Sequence, residues 1–494
     1  MSFHYLTKSR YLQGLQCPKL LWLSVNEPEA AGEPDEETEH RFAVGTKIGA
    51  LARERFSQGV LISEDHFHLT KACQSTNAAI KAGAPAIFEA TVLHKGLACR
   101  ADILQRVKGK KNLWSIIEVK MSSKVKPVHH DDLAFQRYCF ECAGFKILTT
   151  SLMHVNTGYV RDGGLDPKEL LTQEDITKAV LKKSAGIAKT VKKLSTVLTG
   201  SKCPDITAGK QCLDPYECPF FDQCNEPPKE YSIYELPRGQ RIIPMLAERG
   251  IELLKDIPSD IKLSSRYEKM VLSVKRRKPI IDKPGIKEYL DTLVFPLYYF
   301  DFETINSAIP PFDNWKPYQT TPFQFSLHIQ AKQGGACEHY AFLQKDATDS
   351  REPLIKRMIA LLGKKGSIIA WNMSFETSKI KVLAERFPEY EKRLLALLPR
   401  FWDLMIPFSR GDYTHYNFHG SSSIKKVLPV LVPKLSYEDM EIQEGGTASL
   451  KYERWLFGEM ETKEWRKTYR DLLQYCNLDT LAMVEIMKVL KKNI

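Results

Sequence analysis

LYYFDFET, residues 297–304, is an apolar, aromatic run interrupted by two acids. Read as a strand, it puts Asp301 and Glu303, two residues apart, on one face. Two carboxylates in an apolar strand are costly to bury unless a cation meets them, and a divalent metal ion is the simplest one. A second apolar strand, GSIIAWN, ends at Asn372, and Glu376 follows four residues later in WNMSFE. Near the end of the chain, DLLQYCNLDTLAMVEIMKVL has helical periodicity. Tyr475 and Asp479 are four apart there and face the same way. Four carboxylates and a tyrosine are thereby expected at one place.

This order of motifs resembles the DnaQ-like, DEDD-type 3′→5′ exonucleases on an RNase H-like fold. Their motifs are D-x-E on the first strand, N-x3-D after a later strand and Y-x3-D on the last helix. The resemblance implies Asp301, Glu303, Glu376 and Asp479 as ligands for Mg²⁺ or Mn²⁺, and Tyr475 as the group that orients the attacking water. Position 376 is Glu where the family has Asp. Asp403, in RFWDLM, is expected to support the site rather than to bind metal. In FHGSSSIKKVLPVLVP, serines and Lys425/Lys426 open an apolar helix, which suits a phosphate backbone as well as it suits an ordinary capped surface helix. Trp371, Tyr413, Tyr416 and Phe418 have the chemistry to stack on bases, and such aromatics are more often core.

A second constellation lies nearer the start. GLACRADILQRV and NLWSIIEVK flank GKK and read as paired strands. Glu118 and Lys120 share a strand face, and Asp102 takes the equivalent place on the preceding strand. Two carboxylates and a lysine at one end of a hairpin suit a divalent cation; an ion pair between strands is the plainer reading. The helix DDLAFQRYCFECAG follows. Asp-x15-Glu-x-Lys with Gln136 on that helix resembles the RecB-type PD-(D/E)XK nucleases. The resemblance implies Asp102 and Glu118 as metal ligands, Lys120 assisting the water, and Gln136 with Phe140 beside the site. Glu89, in IFEAT, is a further acid. Relatives carry a metal-binding His in the first helix, where this chain has Gly49.

KQCLDPYECPFFDQC, residues 210–224, spaces Cys212, Cys218 and Cys224 with five residues between neighbours. Zinc sites use closer pairs, whereas a [4Fe–4S] cube accepts wider spacing and needs four thiolates. RecB-like nucleases with a cluster, such as the AddB and CRISPR-adaptation nucleases, take one cysteine from before the nuclease core and three from after it. That resemblance implies Cys17 as the fourth ligand, with Cys203 the competitor. Pro215, Tyr216, Pro219, Phe220, Phe221 and Pro227 are placed to shield a cluster.

The chain has 494 residues, too many for one ordinary core. Its net charge of +11 favours an anionic partner, nucleic acid before membrane, as much as it favours a plain basic surface. The start carries no signal-peptide-like apolar run and no stretch is long enough to span a bilayer, so a cytoplasmic protein is expected. Eleven cysteines in a reducing compartment read better as metal ligands than as disulfides. NEPEAAGEPDEETEH (26–40) reads as an exposed loop and FAVGTKIGALARERF (42–56) as a helix. The expected architecture is α/β: a restriction-endonuclease-like PD-(D/E)XK domain with an iron–sulfur staple at 1–225, a linker and helical connector at 226–293, and an RNase H-like exonuclease domain at 294–494. The expected function is a metal-dependent nuclease that hydrolyses DNA, single-stranded or at ends, in processing or repair. An RNA 3′→5′ exonuclease and a non-catalytic nucleic-acid-binding iron–sulfur protein are the alternatives, the latter favoured by Gly49 and Glu376.

Overall fold

In the computed structural model, which describes residues 4–110, 112–225 and 229–493, the chain is of mixed α/β class and divides into two compact units. Lys111 of the GKK turn, Pro227, and the first residues of the expected linker (226–228) lie outside the described residues. One unit takes 1–227 and 308–318, the other 228–307 and 319–494. The segment expected as a linker and connector thus groups with the second unit from 228 onward. The physical reason is a set of buried apolar side chains among Tyr231, Ile233, Leu246, Leu254, Met270 and Val274, together with a strand pairing of Ile281 with Tyr413.

In the first unit, β1 (Val60–Leu61), β2 (Ala86–His94), β3 (Leu97–Arg106), β4 (Trp114–Lys120), β5 (Ile147–Val155) and β6 (Leu171–Asp175) form one sheet in chain order. The labelled helices are α1 (Lys8–Gln16), α2 (Pro18–Asn26), α3 (Glu36–Glu54), α4 (Leu69–Lys81), α5 (Pro127–Cys142), α6 (Thr177–Ser184) and α7 (Ile187–Thr199). Strands β3 and β4 pair antiparallel. Strands β4 and β5 are parallel, so the chain must cross over between them, and α5 is that crossover. Trp114, Ile116 and Leu152 from the sheet bury against Phe135 and Phe140 of α5. Helix α3 starts six residues earlier than the apolar pattern suggests. Asp35 caps it by accepting from the Thr38 backbone N–H at 2.8 Å, and Glu36, Glu37 and Glu39 fill its first turn. Acids at a helix N-terminus oppose the dipole favourably, so the acidic stretch read as a loop is in its second half a helix start.

The β2–β3 ladder skips one pair. Phe88 opposes Ile103 and Ala90 opposes Ala101, which leaves Glu89 and Asp102 between them. Glu89 has φ +58°, a left-handed backbone that non-glycine residues rarely adopt in a strand.

In the second unit, β7 (Ile280–Ile281) pairs with β13 (Tyr413–Thr414). The main sheet has the order β10 (Cys337–Leu343), β9 (Thr321–Gln330), β8 (Leu297–Ile305), β11 (Ser367–Ala370) and β12 (Phe401–Asp403). Strand β8 is central, antiparallel to β9 and parallel to β11. The labelled helices are α8 (Ser265–Arg276), α9 (Arg351–Leu362), α10 (Met373–Arg386), α11 (Ile424–Leu431), α12 (Gly445–Leu456) and α13 (Thr462–Lys492). Phe300 and Phe302 of β8 bury with Leu354 and Met358 of α9 and Ile380 and Leu383 of α10. Asp301 and Glu303 alternate onto the opposite face. Helix α13 is held against β9 there: Gln324 Nε2 donates to the Leu472 carbonyl at 2.8 Å, and the Ser326 and Thr480 hydroxyls lie 2.7 Å apart.

Gly366, which precedes β11, has φ +94°, and a Cβ built on it would lie 2.1 Å from the Pro296 carbonyl oxygen. Only glycine fits where β11 comes alongside β8. Gly366→Ala is expected to cost about 2 kcal/mol or more. Urea unfolding of the second unit followed by tryptophan fluorescence would show this as an earlier midpoint, and an unchanged midpoint would contradict it.

Candidate functional site

The second unit contains a cavity of ≈ 430 Å³ lined by Asp301, Glu303, Lys425, Tyr475 and Asp479, with Trp371 and Phe375 in its wall. Strand β8 supplies Asp301 and Glu303, and α13 supplies Tyr475 and Asp479 one turn apart. Glu376, in the first turn of α10, is buried, and its Oε2 has no hydrogen-bond partner. Its negative charge acts on both Asp301 and Glu303. All four acids hold their protons more tightly than usual. Burial pushes Asp301 up, and Asp479, Glu303 and Glu376 add to it. Burial and Asp479 push Glu303 up. Burial pushes Glu376 to about 8. Asp479 is pushed to about 6, since burial outweighs its hydrogen bond from Tyr437 and the charge of Lys425. The chemistry of this donor set, hard oxygens in excess of positive charge, fits a divalent cation.

Four features here were not predicted. Tyr437 donates to Asp479 Oδ1 at 2.6 Å from a buried position. Lys425, expected only as a phosphate contact, lines the cavity and draws Glu303 and Asp479 downward, while its Nζ donates to the Gln443 carbonyl at 2.7 Å. Cys476 Sγ lies 3.9 Å from Asp301 Oδ2, and ligand atoms of Asp301, Glu303 and Cys476 all fall within 4.8 Å of one another. Helix α12 opens against Glu303, where a Cβ on Gly445 would stand 3.6 Å from Oε2. Asp403 supports the site as expected. Its carboxylate accepts from the backbone N–H groups of Asn372, Met373 and Met405, which fixes the start of α10. The base-stacking aromatics divide. Trp371 lines the cavity, with its Nε1 donating to the Ser422 carbonyl. Tyr413 and Phe418 are buried around Phe408, and Tyr416 packs beside Tyr231.

In the first unit the predicted residues also converge, with a different charge balance. Glu118 is fully buried. Its Oε1 accepts from Lys120 Nζ at 2.5 Å and from Lys8 Nζ at 2.7 Å, and its Oε2 accepts from Gln136 Nε2 at 2.6 Å. Gln136 also donates to Asp132 Oδ1 at 2.8 Å, and Lys120 pairs with Asp132 Oδ2 at 3.1 Å. Asp102 Oδ2 accepts the Val119 backbone N–H at 2.7 Å where the β3–β4 ladder has ended. Burial works against the charge on Glu118, yet Lys120 and Lys8 hold its carboxyl well below the usual range. Burial and Glu118 push Asp102 up to about 7. Glu89 pairs with Arg100 at 3.6 Å. Phe140 is core, not a site wall. Lys8 and Asp132 escaped the sequence reading: Lys8 is 110 positions from Glu118.

Cys17, Cys203, Cys212, Cys218 and Cys224 meet in one cluster with Leu20, Leu23 and Phe220. Cys218 lies within electrostatic reach of Cys212, Cys224 and Cys17, and Cys203 within reach of Cys224 and Cys17. Burial pushes the Cys218 and Cys203 thiols up. The Gly209 N–H donates to Cys212 Sγ at 3.5 Å. Gln16 Nε2 ties the end of α1 to this loop through the carbonyls of Gln211 and Tyr216. Tyr216 is 54% exposed, whereas Phe220, Leu20 and Leu23 are buried beside the thiols and Phe221 packs against them.

A family described as a domain of unknown function (DUF2779) matches residues 298–423. The match covers Asp301, Glu303, Glu376 and Asp403 and stops before Tyr437 and α13. The chain is similar to the uncharacterized protein UU173 of Ureaplasma parvum, 29% identical over 39% of this chain and 31% of that protein. It is similar to the uncharacterized MG366 homolog of Mycoplasma pneumoniae, 30% identical over 39% of this chain and 32% of that protein. The uncharacterized protein MG366 of Mycoplasma genitalium is 27% identical over 40% of this chain and 32% of its own length. The chain thus spans about a third of the length of the curated relatives it matches.

Carboxylates ionise near pH 4 in an unfolded chain. In the folded pocket Asp479 keeps its proton to about 6 and Glu376 to about 8. Between those limits the folded state binds more protons, so stability falls as pH rises from about 4 to about 8. The metal-free protein is expected to melt lower at pH 8 than at pH 5, and Mn²⁺ to raise the melting temperature more at pH 8. Glu376→Gln should raise the metal-free value at pH 8 by about 2–4 °C. Calorimetry across this range would contradict the account if the second unit melted alike at both pH values.

Proposed function

We propose that this chain is a metal-dependent nuclease whose second unit carries the chemistry, removing nucleotides from the 3′ ends of DNA, single-stranded or frayed. The observation that carries this reading is the excess of carboxylate over cation at the cavity of Asp301, Glu303 and Asp479, with Tyr475 in its wall and the buried Glu376 close enough for its charge to act on Asp301 and Glu303. Those four acids would hold Mg²⁺ or Mn²⁺. Bound there, such ions supply Lewis-acid polarisation of a phosphodiester and lower the pKa of water. Tyr437 fixes the Asp479 carboxylate through its 2.6 Å hydrogen bond. Tyr475 presents its hydroxyl beside Asp479 to orient a water molecule. Lys425 brings a positive charge to the cavity mouth to meet a phosphate. Trp371 and Phe375 give the wall an apolar, stackable surface for a terminal base. An RNase H-like architecture for the second unit and a restriction-endonuclease-like one for the first accord with the parallel β8–β11–β12 strands and with the β3–β4–α5–β5 arrangement.

The five converging cysteines support a [4Fe–4S] cluster in the first unit. The five-residue gaps between Cys212, Cys218 and Cys224 suit a [4Fe–4S] cube better than zinc, which uses closer pairs. Cys17, Cys212, Cys218 and Cys224 are the proposed ligands, because Cys218 lies within electrostatic reach of the other three.

A 5′-labelled single-stranded DNA incubated with Mn²⁺ and anaerobically purified protein is expected to give a ladder shortening from the 3′ end. Asp301→Ala should slow it by at least about 100-fold, and Glu118→Ala should leave it. A matched RNA strand run beside it decides the sugar preference. Absence of cleavage on both strands would favour the non-catalytic binding protein, and loss only in Glu118→Ala would move the chemistry to the first unit. For the cluster, the anaerobic protein should be brown, with Cys17→Ser losing the colour and Cys203→Ser keeping it; the reverse pattern would exchange the two ligands.

A further inference from the structure

The first unit's carboxylates already possess their cations. Lys8 and Lys120 both place Nζ on Glu118 Oε1, the oxygen a metal would need. Gln136 Nε2 takes Oε2, and Asp102 Oδ2 accepts the Val119 N–H. Two ammonium groups stand against Glu118 and Asp132, and Asp102 is a third carboxylate within electrostatic reach of both. A divalent ion approaching Glu118 meets two positive charges within hydrogen-bond distance of its first ligand. As arranged, these residues do not fit a metal.

Lys8 is not a wandering surface side chain. The residues before it are fixed by a bridge of Leu6 to Leu97, with the Leu6 N–H on the Gly96 carbonyl at 2.9 Å. Lys8 opens α1, and Tyr11, a turn later, stacks on Phe135 of α5 at 4.6 Å. The ammonium is thus delivered to Glu118 by the packing of the N-terminal helix. Its side chain is 23% exposed and lines a groove of ≈ 1000 Å³ with Arg10, Lys71 and Arg100. That groove is basic, and Phe67, 80% exposed, rises from its edge against His66.

We propose that Lys8 is the resident cation of the first unit's carboxylate cluster, that it keeps divalent metal off Glu118, and that a phosphodiester anion in the adjoining groove releases it. The anion competes with Glu118 for the same ammonium; once Lys8 turns to the groove, Asp102, Glu118 and Asp132 face Lys120 alone and become a metal site. The releasing ligand rests on the nucleic-acid reading above. The exclusion of metal does not.

The test is Mn²⁺ binding to the full chain, read by electron paramagnetic resonance, with Asp301→Asn and Asp479→Asn silencing the second unit's cavity. With Lys8 present, no Glu118-dependent Mn²⁺ is expected. Lys8→Met should gain about one Mn²⁺ per chain, lost again on adding Glu118→Gln. Lys8→Arg keeps a cation in place and should gain none, which separates charge from a loss of folding. Adding oligothymidylate to the Lys8 protein should produce the same Glu118-dependent signal. Glu118-dependent Mn²⁺ in the Lys8 protein without oligonucleotide, or no gain in Lys8→Met, overturns the exclusion. A gain in Lys8→Met with no response to oligothymidylate overturns the release alone.

Discussion

A buried carboxylate must find positive charge, and both halves of this molecule are organised around that demand. Two unit charges 4 Å apart at an effective dielectric near 20 interact by about 4 kcal/mol. Like charges at that spacing consume a large part of the ~5–15 kcal/mol by which a domain is stable. The first unit meets the demand from within, with Lys8 and Lys120 on Glu118. The second does so only in part: among Asp301, Glu303, Glu376 and Asp479, Lys425 pulls Glu303 and Asp479 down and Lys379 pulls Glu376 down, and burial still outweighs them. Protons fill the gap, which is why all four acids are displaced upward. The first unit thereby sets two ammonium groups on Glu118 and leaves Asp102 displaced upward, whereas the second leaves all four acids displaced upward.

The scaffold explains why the deficit persists. Phe300 and Phe302 lock β8 into the core on one face, so Asp301 and Glu303 have no choice of side. Helix α13 is pinned to β9 through Gln324 and Ser326, which holds Tyr475 and Asp479 over the same strand face. Asp403 uses its carboxylate on three backbone N–H groups and so stays out of the cavity while it sets the start of α10 and the place of Glu376. Tyr437 then holds Asp479 in one orientation.

The elements with a strong local period were legible in the sequence. The two-residue alternation of LYYFDFET and NLWSIIEVK placed Asp301, Glu303, Glu118 and Lys120, and the four-residue spacing of Tyr475 and Asp479 placed both on one helix face. Partners brought in by tertiary packing were not legible. Lys8 reaches Glu118 across 110 positions, and Tyr437 reaches Asp479 across 42. Neither sits in a spacing pattern. The start of α3 was hidden because Pro34 and a run of acids read as loop, although Asp35 with acids in the next turn is a capping signal. The stretch 226–293 read as a linker and connector because prolines and charges interrupt any periodicity at its start, yet Tyr231, Ile233, Leu246, Leu254, Met270 and Val274 bury against one another.

The central claim is that charge balance decides which cluster takes metal. Anomalous diffraction at the manganese edge, from crystals of the protein soaked in Mn²⁺ without nucleic acid, tests it directly. The account predicts anomalous density among Asp301, Glu303, Glu376 and Asp479 and none at Glu118. Density at Glu118 with none beside Asp301 would contradict it.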